Sequence, residues 1–89
     1  MSEIINAPPI EEIKKFLEFL YVFVDNPEDL DINIDEGETS IIITIKTPHK
    51  KDTGRIIGKD GATVKAIRTL TINFVNAKYR KKVSLFIID

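Results

Sequence analysis

The run Gly54-Arg55-Ile56-Ile57-Gly58-Lys59-Asp60-Gly61 leads straight into Ala62-Thr63-Val64-Lys65-Ala66-Ile67-Arg68. Two apolar residues enter a Gly-x-x-Gly turn, and an apolar repeat of helical spacing follows it at once. Glycine at both ends of such a turn lets the chain reverse tightly and lets a second backbone come close. Backbone amides in a turn that opens a helix form a small positive nest. A phosphate backbone suits that surface, and the flanking apolar residues offer bases a groove beside it.

Composition narrows the class. The chain has 89 residues, 43% of them apolar and 30% charged, which fits one globular domain. It has no cysteine, hence neither a disulfide nor a thiolate metal site. The apolar run Phe16 to Val24 contains Glu18 and is far shorter than the about 20 residues of a membrane helix. Glu3 stands where a signal peptide would be basic, so a cytoplasmic location without a membrane partner is expected.

Net charge is −1, yet its distribution is lopsided. Residues 1–45 hold 2 Lys against 11 Asp and Glu, while residues 46–89 hold 11 Lys and Arg against 3 Asp. The glycine turn lies in the basic half. Two readings stay open: a basic face for a polyanion, or two halves that attract each other within the fold.

Along the chain, residues 1–8 are expected to form a flexible tail, and residues 9–89 a single domain. Pro8-Pro9 opens one helix, with Ile10, Ile13, Leu17, Leu20 and Val24 at helical spacing, which Asn26-Pro27 ends. Its Phe16, Phe19, Tyr21 and Phe23 are more aromatic surface than one helix face needs. Leu30, Ile32 and Ile34 alternate with polar residues as a strand, Glu36-Gly37-Glu38 turns, and Thr39 to Lys46 returns as a second strand. A short helix is expected over Lys51 to Ile57, the glycine turn next, and a long helix from Ala62 to about Lys78. Thr63, Ile67, Leu70 and Phe74 are assigned to its core side, and Lys65, Arg68, Thr69, Ile72 and Asn76 to its outer side. Tyr79 to Lys82 reads as a basic loop and Val83 to Ile88 as a last strand. In the two later strands Ile42 and Phe86 fall on the face opposite Ile43 and Leu85, so both faces carry large apolar residues.

Element order, length and the turn together resemble a KH domain of type II, over roughly residues 15 to 89. The likeness extends to Val24-Asp25-Asn26-Pro27-Glu28 and Lys65-Ala66-Ile67-Arg68-Thr69-Leu70, and is greatest to the small stand-alone bacterial KH proteins. The resemblance implies an α+β fold of order α-β-β-α-α-β, a three-stranded sheet with three helices on one face. It implies binding of about four nucleotides of single-stranded RNA or DNA, weakly and with little sequence choice, in an RNA-chaperone or post-transcriptional role. It also implies a second KH-containing protein or a second copy as partner. Carried over by residue, Gly58 and Gly61 shape the loop and Lys59 meets phosphate. Arg55 and Asp60 are counted with them among the nucleic-acid-binding residues. Ile56, Ile57 and Val64 form or support the groove wall, Ile57 and Val64 being read as core first. Lys65 and Arg68 track the strand further on. Asp60 departs from the pattern by placing a carboxylate in the loop, and Ala62 stands where relatives often carry a base.

No enzyme and no cofactor are expected. Three residues separate Gly54 from Gly58, and Asp60 follows Lys59, so the four-residue spacing and the Ser/Thr of a nucleotide-hydrolysing phosphate loop are both missing. His49 is the only histidine and reads as surface. Asp25, Glu28, Asp29 and Asp31 lack the spacing of a calcium loop and read as capping and solvated groups. A protein-interaction module that has kept the fold and lost nucleic-acid binding is the rival reading, favoured by Asp60 and the aromatic first helix.

Overall fold

A computed structural model describes residues 9–88; the expected tail at 1–8 lies outside them. The N-terminal helical region is two pieces, α1 (Pro9–Phe16) and α2 (Phe19–Phe23), not one helix. No glycine or proline stands at the join. Instead the backbone tightens: the amides of Glu18, Leu20 and Tyr21 donate to the carbonyls of Lys15, Leu17 and Glu18, three residues back rather than four. Packing explains why the chain tolerates this, because Ile13, Leu17, Leu20 and Val24 are all buried. The helical region ends before Asn26, and Pro27–Asp29 forms a 3₁₀ turn.

Next come β1 (Asp31–Glu36) and β2 (Ser40–Lys46), an antiparallel hairpin with Ile32 opposite Ile45 and Ile34 opposite Ile43. The chain then makes α3 (Lys50–Ile57), a 3₁₀ turn over Lys59–Gly61, α4 (Ala62–Tyr79) and β3 (Lys82–Ile88). β3 lies parallel to β2, with Leu85 beside Ile43, so the sheet order is β1-β2-β3. This is the expected α+β architecture. Only Arg80 and Lys81 separate α4 from β3, and Arg80 closes the helix in the left-handed conformation.

One sheet face carries Ile32, Ile34, Ile41, Ile43, Ile45 and Leu85, all buried with Ile13, Leu17, Leu20, Ile56, Ile67 and Val75 in one core. The opposite face leaves Ile42, Phe86 and Ile88 exposed, Phe86 at 53%. The alternation therefore does place large apolar residues on both faces.

The long helix is rotated from its expected setting. Ile67, Thr71 and Val75 are its buried residues, and Leu70 is 57% exposed. The three follow at spacing of four, and Thr71 conceals its polarity by donating its hydroxyl to the Ile67 carbonyl at 2.7 Å. Phe74 sits on the flank toward α1, its ring stacked on Phe16 with centroids 4.5 Å apart. Glu12 of α1 accepts from the Tyr79 hydroxyl at 2.6 Å and from Lys78 Nζ at 3.0 Å. These bonds hold the Glu12 carboxyl below its ordinary value. Burial first, then Glu12, pushes the Tyr79 hydroxyl up to about 12.

No helix among the described residues is long and apolar enough to cross a membrane.

Candidate nucleic-acid interface

The loop between α3 and α4 is built on positive backbone angles. Gly58 sits at φ 79°, ψ 174°, a region only glycine enters readily, and its amide donates to the Gly54 carbonyl at 2.8 Å. Asp60 (φ 54°, ψ 27°) and Gly61 (φ 76°, ψ 12°) are both left-handed. The Gly61 amide closes the turn on the Gly58 carbonyl at 3.1 Å. Aspartate tolerates this conformation better than most residues do, which gives the carboxylate at 60 a backbone reason. No side chain caps the first turn of α4, a setting in which helix amides suit an anion.

The side chains assigned to the site divide. Lys59 and Asp60 are exposed at the tip, Lys65 is exposed one turn into α4, and Lys59 and Lys65 have no hydrogen-bond or ion-pair partner among the described residues. Ile57 is 37% exposed beside the loop, whereas Ile56 is wholly buried. Ile56 thus anchors the end of α3 to the core and leaves the surface to Ile57, reversing the expectation that Ile57 is core first. Val64 is half-buried against the core. Arg68 is not on the outer side of α4: it is half-buried and its Nη2 donates to the Leu85 carbonyl of β3 at 3.1 Å. Arg55 is exposed, but its Nη1 meets Asp25 Oδ1 at 2.9 Å. A shallow depression lined by Asp60, Ala62, Lys65, Ala66, Thr69 and Leu70 continues from the loop along the outward side of α4.

A residue the sequence reading passed over fixes the approach to the loop. Asp52, in the first turn of α3, is fully buried. Its carboxylate accepts from the amides of Asp25 and Asn26, each at 3.0 Å, and from Asn26 Nδ2 at 3.1 Å. The Asp25 amide is the main cause that holds Asp52 below the ordinary carboxylate range. Nearby, Asp29 meets His49 Nε2 at 2.7 Å, which raises the histidine's pKa. Asp25 and Asp29 are therefore partners of α3 and its entry rather than solvated groups only. The signal for Asp52 is faint: an acid at the start of a helix reads as a response to the helix dipole.

The ion pairs decide part of the charge question. His49–Asp29, Arg55–Asp25, Lys78–Glu12 and Lys81–Glu36 each join a base from the second half to an acid from the first. Attraction between halves thus accounts for these four, while Lys50, Lys51, Lys59 and Lys65 remain exposed on α3, the loop and α4.

A family model described as KhpA/KhpB, KH domain, matches residues 14–87. An RNA-binding protein KhpA of Listeria monocytogenes serovar 1/2a is 46% identical over 66 residues, 74% of this chain and 84% of the relative. One of Chlamydia trachomatis serovar D is 41% identical over 78 residues, 86% of this chain and 97% of the relative. Among solved structures, a complex of Era with MgGDPNP and nucleotides 1506–1542 of 16S ribosomal RNA aligns with TM-score 0.58 at 19% identity, covering 80% of this chain and 28% of that one. That likeness is one of fold.

Proposed function

The chain belongs to the KhpA/KhpB family of KH domains, and on that premise we propose that residues 9–89 act as one domain that binds single-stranded RNA at the glycine loop. The observation that carries this reading is the loop itself. Lys59 stands without a partner among the described residues, at the tip of a turn held open by positive backbone angles, beside exposed Ile57 and the uncapped start of α4. Relatives named RNA-binding protein KhpA, at 46% and 41% identity, support it.

In this reading Gly58 and Gly61 shape the loop and Lys59 neutralises a phosphate. Ile57 and Val64 give bases an apolar wall, with Ile56 supporting it from the core. Lys65 continues the basic track. Arg55 joins by exchanging Asp25 for a phosphate, and Arg68 stiffens the seam between α4 and β3 at the groove's edge. Asp60 opposes phosphate, so binding is weak and rests on charge more than on sequence. Such binding suits an RNA-chaperone or post-transcriptional role in bacterial cytoplasm, without a catalytic step. A second KH-containing protein or a second copy would raise the effective concentration of sites on one strand.

A protein-interaction role without RNA is the second reading. Ile42, Phe86 and Ile88 on the open sheet face favour it. Titration of labelled single-stranded RNA against a duplex control, over a range of salt, separates the two. A site meeting about two to four phosphates gives a log–log salt slope of roughly −1.5 to −3 on a single strand. A slope near zero, or preference for duplex, counts against the loop as the site.

A further inference from the structure

We propose that the RNA-contacting surface does not end at the glycine loop but runs the length of α4 to a second phosphate contact, at Arg80 and Lys82. The inference rests on the RNA-binding reading of the loop and adds a contact at the opposite end of the helix. α4 has 18 residues and none is acidic, in a chain with 14 Asp and Glu. Helix physics favours the opposite. A carboxylate in the first turn is stabilised by the dipole, and a Glu one turn before a Lys or Arg adds an ion pair on the exposed side. A phosphodiester strand lying along the helix accounts for the absence of both, since every carboxylate there would repel it.

What α4 presents instead is a polar track. Lys65, Thr69, Asn73, Asn76 and Arg80 follow at steps of three or four residues, so they share one side of the helix, and all five are exposed. Between the two cations stand a hydroxyl and two amides, neutral side chains of the kind that bond phosphate oxygens. The depression that begins at Asp60 and Lys65 reaches Thr69 along this side.

The far end is basic in excess of what the fold uses. Lys78 is paired with Glu12 and Lys81 with Glu36. Arg80 and Lys82 are exposed and join no ion pair among the described residues. Arg80 also sits left-handed at φ 57°, a position that glycine or asparagine fills at less cost. The helix dipole welcomes a cation at this end, but Lys78 already supplies one. Arginine at 80 thus costs the backbone something and finds no partner inside the protein. α4 spans about 27 Å, so a strand that touches both ends must exceed the about four nucleotides the loop holds.

The test reads the anisotropy of two fluorescein-labelled, mixed-sequence single-stranded RNAs, of about five and about sixteen nucleotides, at low salt. A longer strand offers more registers to any site, so the decisive quantity is what each variant loses on the long strand alone. Arg80→Asn with Lys82→Gln should bind the short RNA as the parent does and the long RNA about five-fold more weakly. Its log–log salt slope on the long RNA should be shallower by about 1.4, for two phosphates released. Asn73→Glu, which leaves the basic turn intact and puts a carboxylate midway along the track, should show the same selective loss. Lys14→Gln with Lys46→Gln removes equal charge from other surfaces and should change neither. Long-strand binding unaffected by both track variants overturns the inference. So does an equal loss on both lengths, or a control that weakens the long strand as much. Lys59→Asp runs beside them. If it loses both RNAs while the track variants keep both, the loop reading stands and this inference alone falls. A parent that ignores single-stranded RNA ends both.

Discussion

Gly58 and Thr63 claim the same space: a Cβ on Gly58 would stand 2.6 Å from Thr63 Cβ and overlap its Oγ1. The contact seats the loop on the first turn of α4 and leaves no room for any other residue at 58. Gly61 differs, since a Cβ there meets nothing within 4 Å and only its φ of 76° disfavours a side chain. Gly58→Ala should therefore cost at least about 3 kcal/mol, from strained backbone and overpacking together. Gly61→Ala should cost about 1 to 2 kcal/mol, and Gly61→Asn less. Urea denaturation measures all three. Equal costs at 58 and 61 would contradict this picture of the loop.

Asp60 sits left-handed at the loop tip, next to Lys59. Asparagine tolerates the same backbone and carries no charge, so Asp60→Asn should leave melting nearly unchanged. Removing one exposed like charge should tighten single-stranded RNA binding about two- to five-fold at low salt. The gain should fade as salt rises. An unchanged affinity at low salt would mean that phosphate does not pass this carboxylate.

The sequence exposes the loop, the hairpin and the order of elements because each has a local cause. Gly58 and Gly61 mark positive angles, alternation marks β1 and β2, and Pro48 marks the end of β2. What it hides is decided by contact between distant segments. Leu70 looks like core until Thr71, satisfied by the Ile67 carbonyl, proves the better inward residue. Arg68 reads as a surface cation because its acceptor, the Leu85 carbonyl, lies 17 residues away. Asp52 finds its donors 26 and 27 residues back. The break between α1 and α2 has no breaker residue behind it.

Three groups set the pH limits on stability, two on the acid side and one on the other. Asp52 is held below its ordinary value of 3.8, so its contribution is complete above that value and is lost as pH falls through the lower folded value. Glu12 adds to the same acid limb. His49 is held above 6.5, so its pairing with Asp29 contributes fully below that value and fades as pH rises through the higher folded one. Melting temperature should drop as pH falls below about 4 and decline slightly as pH rises above about 6.5. Asp52→Asn should lower melting at neutral pH and shallow the acid limb. His49→Gln should flatten only the alkaline decline. An alkaline decline that survives His49→Gln would show that the Asp29 pair is not its source.

The open sheet face joins Ile42 of β2 to Phe86 and Ile88 of β3. A protein of 10.1 kDa with this surface should self-associate or hold a partner through it. Sedimentation equilibrium at tens of micromolar should show mass above the monomer, and Phe86→Glu with Ile42→Glu should return the monomer without loss of helix signal. A parent that stays monomeric, and recovers no partner from cell extract, would remove this face from the account.

Lys59 is the only cation between Gly58 and Gly61, so RNA held at this loop should depend on it. The most direct measurement is titration of labelled single-stranded RNA with the parent and with Lys59→Asp, which places two carboxylates side by side at the tip. The parent should bind and the variant's binding should fall below detection, while circular dichroism and melting temperature barely change. A folded Lys59→Asp variant that binds as tightly as the parent would contradict it.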